Sequence, residues 1–376
     1  MAVSWRVALI AFVALQLGVL MLFGLARGMH VGVVQWSLVS NSSSSISSSQ
    51  QEQSRDSGEN VQAAATSLHH NDDRLEHAAD RRRRVAVCYL TATPPAEVIE
   101  WATEIAQSCV LDVFVLADDN NYKSTVPHLL PLSERADTLR DAAKTCLTGE
   151  RRPGLTLLQY NDDEVIAANY TGMNAYVNEW KKNVTKKPVA VAAWEKVVYA
   201  FARDPRLALY DFVWILEQDV FVPSVDALLR QEHKAAVARA DFVAPPVQRH
   251  EANVFWQNWG DLERAHYPAP WYKSMVCMVG MSRRYFGLVD DVAQRWHKLF
   301  FLESMFNIIA ETAEDLIVLR PVELMTIVYH SIPEAYQLSD ILAYPNFFFH
   351  PMKALNKHNE YRARVHEAVH GPPLTD

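Results

Sequence analysis

Surplus positive charge is absent from this chain of 376 residues: 44 acidic residues outnumber 36 lysines and arginines, for a formal net charge of −8. That balance excludes nucleic acid as a partner, because phosphate neutralisation needs a basic face. Cysteine is sparse, at Cys88, Cys109, Cys146 and Cys277. In an oxidising compartment these four could close two disulfides in three ways. Three of them lie in apolar surroundings, which suits buried free thiols equally well. Glycine, lysine and arginine are all missing from "TATPPAEV" (91–98), just after the first apolar run of the globular part. A nucleotidyltransferase would favour a glycine-rich, basic loop there, so this class is disfavoured. After Val85 there is no second linker and no internal repeat, which suits one large domain over residues 85–376.

The amino-terminal part is built differently. Residues 7–26, "VALIAFVALQLGVLMLFGLA", are apolar except for Gln16 and small residues, and Arg6 and Arg27 bracket them. About 20 apolar residues span a bilayer core. The run exceeds a signal-peptide core, and no small-x-small cleavage site follows it, so it is expected to be an uncleaved transmembrane signal-anchor. Residues 1–6 would then be a short cytoplasmic tail, although the flanking charges are nearly balanced. Residues 27–84 contain "SNSSSSISSSQQEQSRDSGEN", which has no apolar periodicity and is expected to be a disordered, Ser-rich stem. "RRRR" at 81–84 is taken as a solvated domain edge rather than a processing site. Sequons at Asn41, Asn169 and Asn183 agree with a lumenal domain.

Within the globular part, apolar runs alternate with helical stripes. "VAVCYLTAT" (85–93), "LDVFVLADDNN", "GLTLLQYND" and "YDFVWILEQDVFVPS" (210–224) predict strands. "DFVAPPV" (241–247) and "WYKSMVCMVGMS" (271–282) predict two more, with a helix from about Tyr285 to Phe300. "AEVIEWATEIAQSC" and "KPVAVAAWEKVVYAFARD" predict further helices. Non-alternating apolar strands between helices imply an α/β fold, a mostly parallel sheet covered on both faces. In such sheets ligands bind outside the carboxyl ends of the strands. Asp118, Asp119, Glu217 and Asp219 all fall at such ends. Two acids at a strand end can hold a hard divalent cation, which prefers oxygen ligands. The competing explanation is that they cap the helix beginning at "VPSVDALL".

The order of helix, apolar strand, E-x-D triplet and Pro-x-helix resembles the nucleotide-sugar glycosyltransferases of the GT-A fold, whose acidic triplet is called DxD. "AAWEKVVYAF" followed by "YDFVWILEQDVFVPSVDALL" is similar to the helix–strand segment of Golgi N-acetylglucosaminyltransferases. The resemblance spans residues 85–355 as topology and only short motifs as residues. It implies transfer of a sugar from a nucleotide-sugar, of the UDP type, to a glycan or glycoprotein acceptor, with Mn²⁺ or Mg²⁺ as cofactor. With the apolar run and stem it also implies a single-pass type II protein of the Golgi or ER membrane. Carried over by position, Asp219 is the direct metal ligand and Glu217 contacts the ribose or a metal-bound water. Asp118 or Asp119 contacts the nucleoside. Gln218 stands where many relatives have Asp. His350, in "NFFFHPMKAL", is either a second metal ligand or a core histidine, and Lys353 could meet a phosphate.

An inverting transferase needs a base for the acceptor hydroxyl. Glu303, among large apolar residues in "FFLESMFNIIAE", is the candidate, with Asp290 and Asp291 as rivals. Arg283 and Arg284 in "MSRRYF" are candidate contacts to the donor phosphates or the acceptor, and Lys196 a candidate contact to the donor. Trp194 sits on an apolar stripe and is assigned to the core. The aromatic stretch 254–272, "VFWQNWGDLERAHYPAPWY", is assigned to acceptor binding, since sugar C–H faces stack on aromatic rings. A sugar-phosphate hydrolase on a related sheet would also fit the fold. A membrane-anchored glycan-binding protein would need no paired acids at strand ends.

Overall fold

The structure, a computed structural model, describes residues 83–108, 110–119, 122, 125–126, 129–134, 155–172, 191–251, 256, 258–329 and 335–371. The expected transmembrane segment, the expected stem up to residue 82, Asn41, Asn183, Cys109 and Cys146 lie outside these residues. Among the described residues, no helix is long and apolar enough to cross a membrane.

Strand β1 (Val85–Thr91), helix α1 (Ala96–Gln107) and strand β2 (Asp112–Ala117) come first, followed by short strands β3 (Leu129–Pro131) and β4 (Leu155–Leu158). Helices α2 (Asp162–Ala167) and α3 (Ala193–Arg203) lead into β5 (Phe212–Glu217) and α4 (Val225–Val237). Then come β6 (Phe242–Val243), β7 (Gln248–Arg249), α5 (Trp259–Arg264), β8 (Tyr272–Lys273) and β9 (Met278–Ser282). Last are α6 (Arg283–Trp296), α7 (Leu302–Thr312), β10 (Val318–Leu319), α8 (Leu338–Ala343) and α9 (Asn356–His370).

Eight strands form one sheet in the order β10-β6-β9-β5-β1-β2-β4-β3. Every described pairing in it is parallel except the two made by β9, which runs against β5 and β6. The mostly parallel α/β expectation therefore holds, with one reversed strand inside it. Strand alternation builds a core on each face. Cys88, Leu90, Phe114, Leu116, Val213 and Ile215 pack with α3, α6 and α7. Val87, Tyr89, Val115, Phe212, Trp214 and Leu216 pack with α1 and α4 on the other face. This explains why the strands read as continuous apolar runs.

Three boundaries differ from expectation. The 241–247 and 271–282 runs each contain only a short sheet strand, and β7 pairs with β8 in a separate ribbon. The helix after β9 starts at Arg283, because Ser282 Oγ accepts the Tyr285 N–H at 3.1 Å and caps it. It ends at Trp296, because His297 adopts the left-handed conformation (φ 54°).

Candidate active site

The end of β5 is fixed from both sides. On one side, pairing with β9 extends one residue beyond the ladder: the Glu217 N–H donates to the Cys277 carbonyl at 2.8 Å. Gly280 allows this close pairing, since a Cβ there would stand 2.6 Å from the Phe212 ring. On the other side, the Gln218 N–H donates to Leu90 O at 3.1 Å, and Thr91 Oγ1 donates to Gln218 Oε1 at 2.6 Å. The middle residue of the triplet is thus bonded to the end of β1. The acids do not cap the next helix. Ser224 does so, its Oγ accepting the Ala227 N–H at 3.0 Å.

A late segment crosses this end. Phe221 and Phe349 exchange backbone bonds of 2.8 and 3.2 Å, and the Met352 N–H donates to Asp219 O at 2.9 Å. His350 is further held between this segment and Thr326–Val328: its N–H donates to Thr326 O at 3.2 Å, and its Nδ1 lies 3.1 Å from Val328 O. A carbonyl only accepts, so Nδ1 carries the proton and Nε2 is turned to the acids. Nε2 stands 3.5 Å from Asp219 Oδ1 and 3.9 Å from Glu217 Oε2. Lys353 Nζ stands 3.3 Å from Asp219 Oδ2.

Electrostatics separate the two acids. Burial, then the Asp219 charge, raises the Glu217 carboxyl above its ordinary range. Burial also pushes Asp219 upward, but the His350 hydrogen bond and the His350 and Lys353 charges outweigh it and hold Asp219 below its ordinary range. Burial pulls His350 down, yet the Asp219 hydrogen bond and the charges of Asp219 and Glu217 outweigh it and raise it. Two mutually repelling carboxylates face an imidazole whose other nitrogen is tied to a backbone carbonyl. That donor set fits a divalent cation.

Glu303 belongs to the same neighbourhood. It sits in the first turn of α7, with its backbone carbonyl accepting from the Ser274 N–H at 3.1 Å. Its carboxyl has no hydrogen-bond partner among the described residues and lines a cavity of about 530 Å³ with Lys273, Trp256, Asn258, Val328 and Tyr329. Burial, then the Glu217 charge, raises it to about 7, against the opposing pull of Lys273 and His350. Val328, which accepts from His350, joins this cavity to the acid pair.

The remaining sequence-derived residues divide. Asp118 and Asp119 lie just past β2; Asp119 is exposed. Lys196 is buried and bonds Asp118 Oδ1 at 2.9 Å, Asp118 O at 2.8 Å and Asp162 Oδ1 at 2.8 Å. Those contacts occupy the three protons of an ammonium, so Lys196 fixes the β2 terminus rather than offering itself to a donor. Arg283 needs a larger correction. Its guanidinium donates to the carbonyls of Phe201, Leu207 and Tyr210, and its N–H bonds Asp211 O at 2.9 Å. That is the start of β5, about 17–20 Å along the strand from the acids. Arg284 pairs with Asp241 and Asp315. Of the rival bases, Asp290 accepts from Tyr170 Oη and Arg203 Nε, both at 2.7 Å, while Asp291 is exposed on α6.

Of the aromatic stretch, Trp259 and Tyr267 are buried, Trp259 against Trp256, His250 and Trp271. Trp256 lines the Glu303 cavity. Two residues of the site were not assigned to it from sequence. Trp194 Nε1 donates to Glu217 Oε1 at 2.6 Å while its ring meets Phe306 edge-on. Cys277 Sγ lies with ligand atoms of Glu217 and His350 inside a 4.8 Å cluster.

No family model and no curated protein matches the chain. Among solved structures it is similar to the mannosyltransferase Ktr4p from S. cerevisiae, at 11% identity and TM-score 0.27, covering 64% of this chain and 74% of that one. It is similar to the mannosyltransferase PcManGT from Pyrobaculum calidifontis in complex with GDP-Man and Mn²⁺, at 13% identity and TM-score 0.30, covering 82% and 86%. Mouse xyloside xylosyltransferase 1 shows 9% identity and TM-score 0.29, covering 64% and 84%. All three are named as sugar transferases. At such scores no residue's role transfers from them to this chain.

Proposed function

We propose that residues 85–376 form a metal-dependent glycosyltransferase that moves a sugar from a nucleotide-sugar donor, of the UDP class, to a hydroxyl of a glycan or glycoprotein acceptor. The observation that carries this is the meeting of Glu217, Asp219, His350 and Lys353 at one strand end, with the Glu303 cavity beside them. Asp219 and His350 would hold Mn²⁺ or Mg²⁺, with Glu217 beside them. When bound, such an ion supplies Lewis-acid neutralisation of a diphosphate leaving group. Lys353 is placed to pass from Asp219 to a phosphate oxygen as a point charge. Asp119, exposed at the end of β2, is suited to the nucleoside. Glu303 is suited to accept the proton of the attacking hydroxyl, since a raised carboxyl is a stronger base at neutral pH. Trp256 and Tyr329 give the cavity aromatic faces for a sugar.

The layout belongs to the same proposal. Residues 1–6 would be cytoplasmic, 7–26 a signal-anchor and 27–84 a stem that displays the domain in the Golgi or ER lumen. The apolar run and the sequons support it.

Calorimetry of the full-length chain with UDP, with and without Mn²⁺, tests the donor site, and a panel of nucleotide sugars then identifies the donor. Mn²⁺-dependent UDP binding and donor turnover are expected. Glycan binding without any nucleotide affinity would replace the transferase with a lectin.

A further inference from the structure

Cys277 gives this site a chemistry that a sugar transferase does not require. Because β9 runs against β5, the residue just before β9 is carried to the carboxyl end of β5, beside Glu217. The thiol is buried and reaches the same space as the Glu217 carboxylate and the His350 imidazole, all three ligand atoms lying within 4.8 Å of one another. His350 is already oriented, its Nδ1 engaged by the Val328 carbonyl and its Nε2 directed inward. Glu217 is oriented by the Trp194 N–H. The pocket therefore contains two overlapping donor sets. Asp219 and His350, 3.5 Å apart, form an oxygen–nitrogen pair suited to Mn²⁺ or Mg²⁺. Glu217, Cys277 and His350 form a mixed set of oxygen, sulfur and nitrogen, the kind that zinc takes in tetrahedral sites.

We infer that the chain has a thiophilic-cation site at Glu217, Cys277 and His350, and that Zn²⁺ bound there displaces the activating cation. Occupancy is exclusive because both sets need His350. The order of affinities favours zinc, since nitrogen and sulfur donors bind Zn²⁺ more tightly than Mn²⁺. Binding forms a metal–sulfur bond and breaks the S–H bond of Cys277, whose proton leaves to solvent, so one proton is released at this residue. Burial and the neighbouring Glu217 and Asp219 charges raise the thiol's pKa, which makes the free thiol inert as a nucleophile and makes cation binding at this residue compete with its proton, so that it strengthens as pH rises. The site rests on geometry alone and does not require the chain to be a transferase.

The test is a Co²⁺ titration of the metal-free, reduced full-length chain, followed by zinc competition. A thiolate-to-cobalt charge-transfer band with the strong visible bands of a tetrahedral ion is expected. Cys277→Ser should abolish that band and weaken Zn²⁺ by about 10- to 100-fold or more, a loss that even an outer-shell partner causes. Cys88→Ser should leave it intact. Zn²⁺ should release bound Mn²⁺ from the parent chain, read as free Mn²⁺ by electron paramagnetic resonance. A cobalt spectrum without charge transfer, a band that survives Cys277→Ser, or zinc that leaves Mn²⁺ in place overturns the inference. If Cys277→Ser melts like an unfolded chain, Cys277→Ala and His350→Gln take its place, with the same loss expected. Failure of Mn²⁺-dependent UDP binding would defeat the transferase proposal while leaving the cobalt result free to stand.

Discussion

At the amino ends of β1 and β5, charge is answered by opposite charge or by backbone. Arg283 donates to three carbonyls, and Arg83 pairs with Glu232 at 3.3 Å over the Phe212 ring. Asp211 accepts the Arg84 N–H at 2.7 Å, and Asp112 accepts Tyr210 Oη at 2.9 Å. At the carboxyl end of β5 the pattern inverts, apart from Lys353 beside Asp219. Glu217 and Asp219 repel each other across one imidazole, and the Glu303 carboxyl has no hydrogen-bond partner among the described residues. Both ends hold half-buried ionic groups, so burial does not distinguish architecture from function. What distinguishes them is whether the local charge is already neutralised. An end that is short of positive charge and aimed into a cavity is poised for a cation or a proton.

The largest expected break in that contrast is Glu303→Gln. It keeps shape and donor affinity but removes the proton acceptor, so transfer should fall by about 10²–10⁴-fold. Donor binding by calorimetry and turnover on the same preparation check this. Turnover near that of the parent would return Glu303 to architecture.

Arg283→Met is the matching probe at the other end. It leaves buried carbonyls without their cationic donor and should lower unfolding free energy by about 2–4 kcal/mol, with turnover per folded molecule preserved. Urea unfolding alongside an activity assay separates the two quantities. Loss of chemistry at unchanged stability would mean that the amino end also takes part in function.

Asp219→Asn comes next. It removes one anionic ligand while keeping size, so Mn²⁺-dependent UDP binding should weaken by about 1–3 kcal/mol. Unchanged affinity in a folded variant would make the E-x-D triplet structural.

The sheet was legible because strands buried on both faces read as unbroken apolar runs, and the acid pair was legible because it interrupts one. His350 stood out as a polar residue after "NFFF". The misplacement of Arg283 and the omission of Cys277 from the site share a single cause. Local sequence shows an apolar strand at 278–282 but not its direction, which depends on long-range pairing with β5. In a parallel strand, Arg283 would have emerged at the ligand end. Reversal sends it to the opposite end and brings Cys277 to the acids instead. Trp194 was legible as apolar, but the partner of its indole N–H depends on how α3 lies against the end of β5.

The pH dependence of stability sharpens the same contrast. The Glu303 carboxyl is raised to about 7 in the folded chain, against about 4.3 when unfolded. Below the lower value both states hold the proton. Between the two values the unfolded chain releases it and the folded chain keeps it, so stability falls as pH rises and levels off above the higher value. Glu303→Gln removes that penalty. Its advantage in thermal unfolding should grow from none near pH 4 to about 1–2 kcal/mol by pH 8, after discounting for solvent screening. A constant difference across that range would place the raised value elsewhere.

Trp194→Phe should give the smallest effect. The indole N–H donates to Glu217 Oε1 at 2.6 Å, while the ring packs edge-on against Phe306 with centroids 6.0 Å apart. Phenylalanine keeps an aromatic edge for Phe306 and loses only the donor. A hydrogen bond to a charged acceptor contributes about 1.5–3 kcal/mol, but the Glu217 side chain keeps 33% of its surface exposed and water can replace the lost donor, so about 1 kcal/mol is expected. Where that loss appears decides what Trp194 is. If the bond orients Glu217 toward a cation, Mn²⁺ affinity falls by about fivefold, the equivalent of that 1 kcal/mol, and unfolding free energy hardly changes. If Trp194 only packs against α7, the melting temperature drops and Mn²⁺ binding stays as in the parent. Measuring both on Trp194→Phe, with Trp194→Leu as the variant that also removes the aromatic edge, separates orientation of the acid from packing.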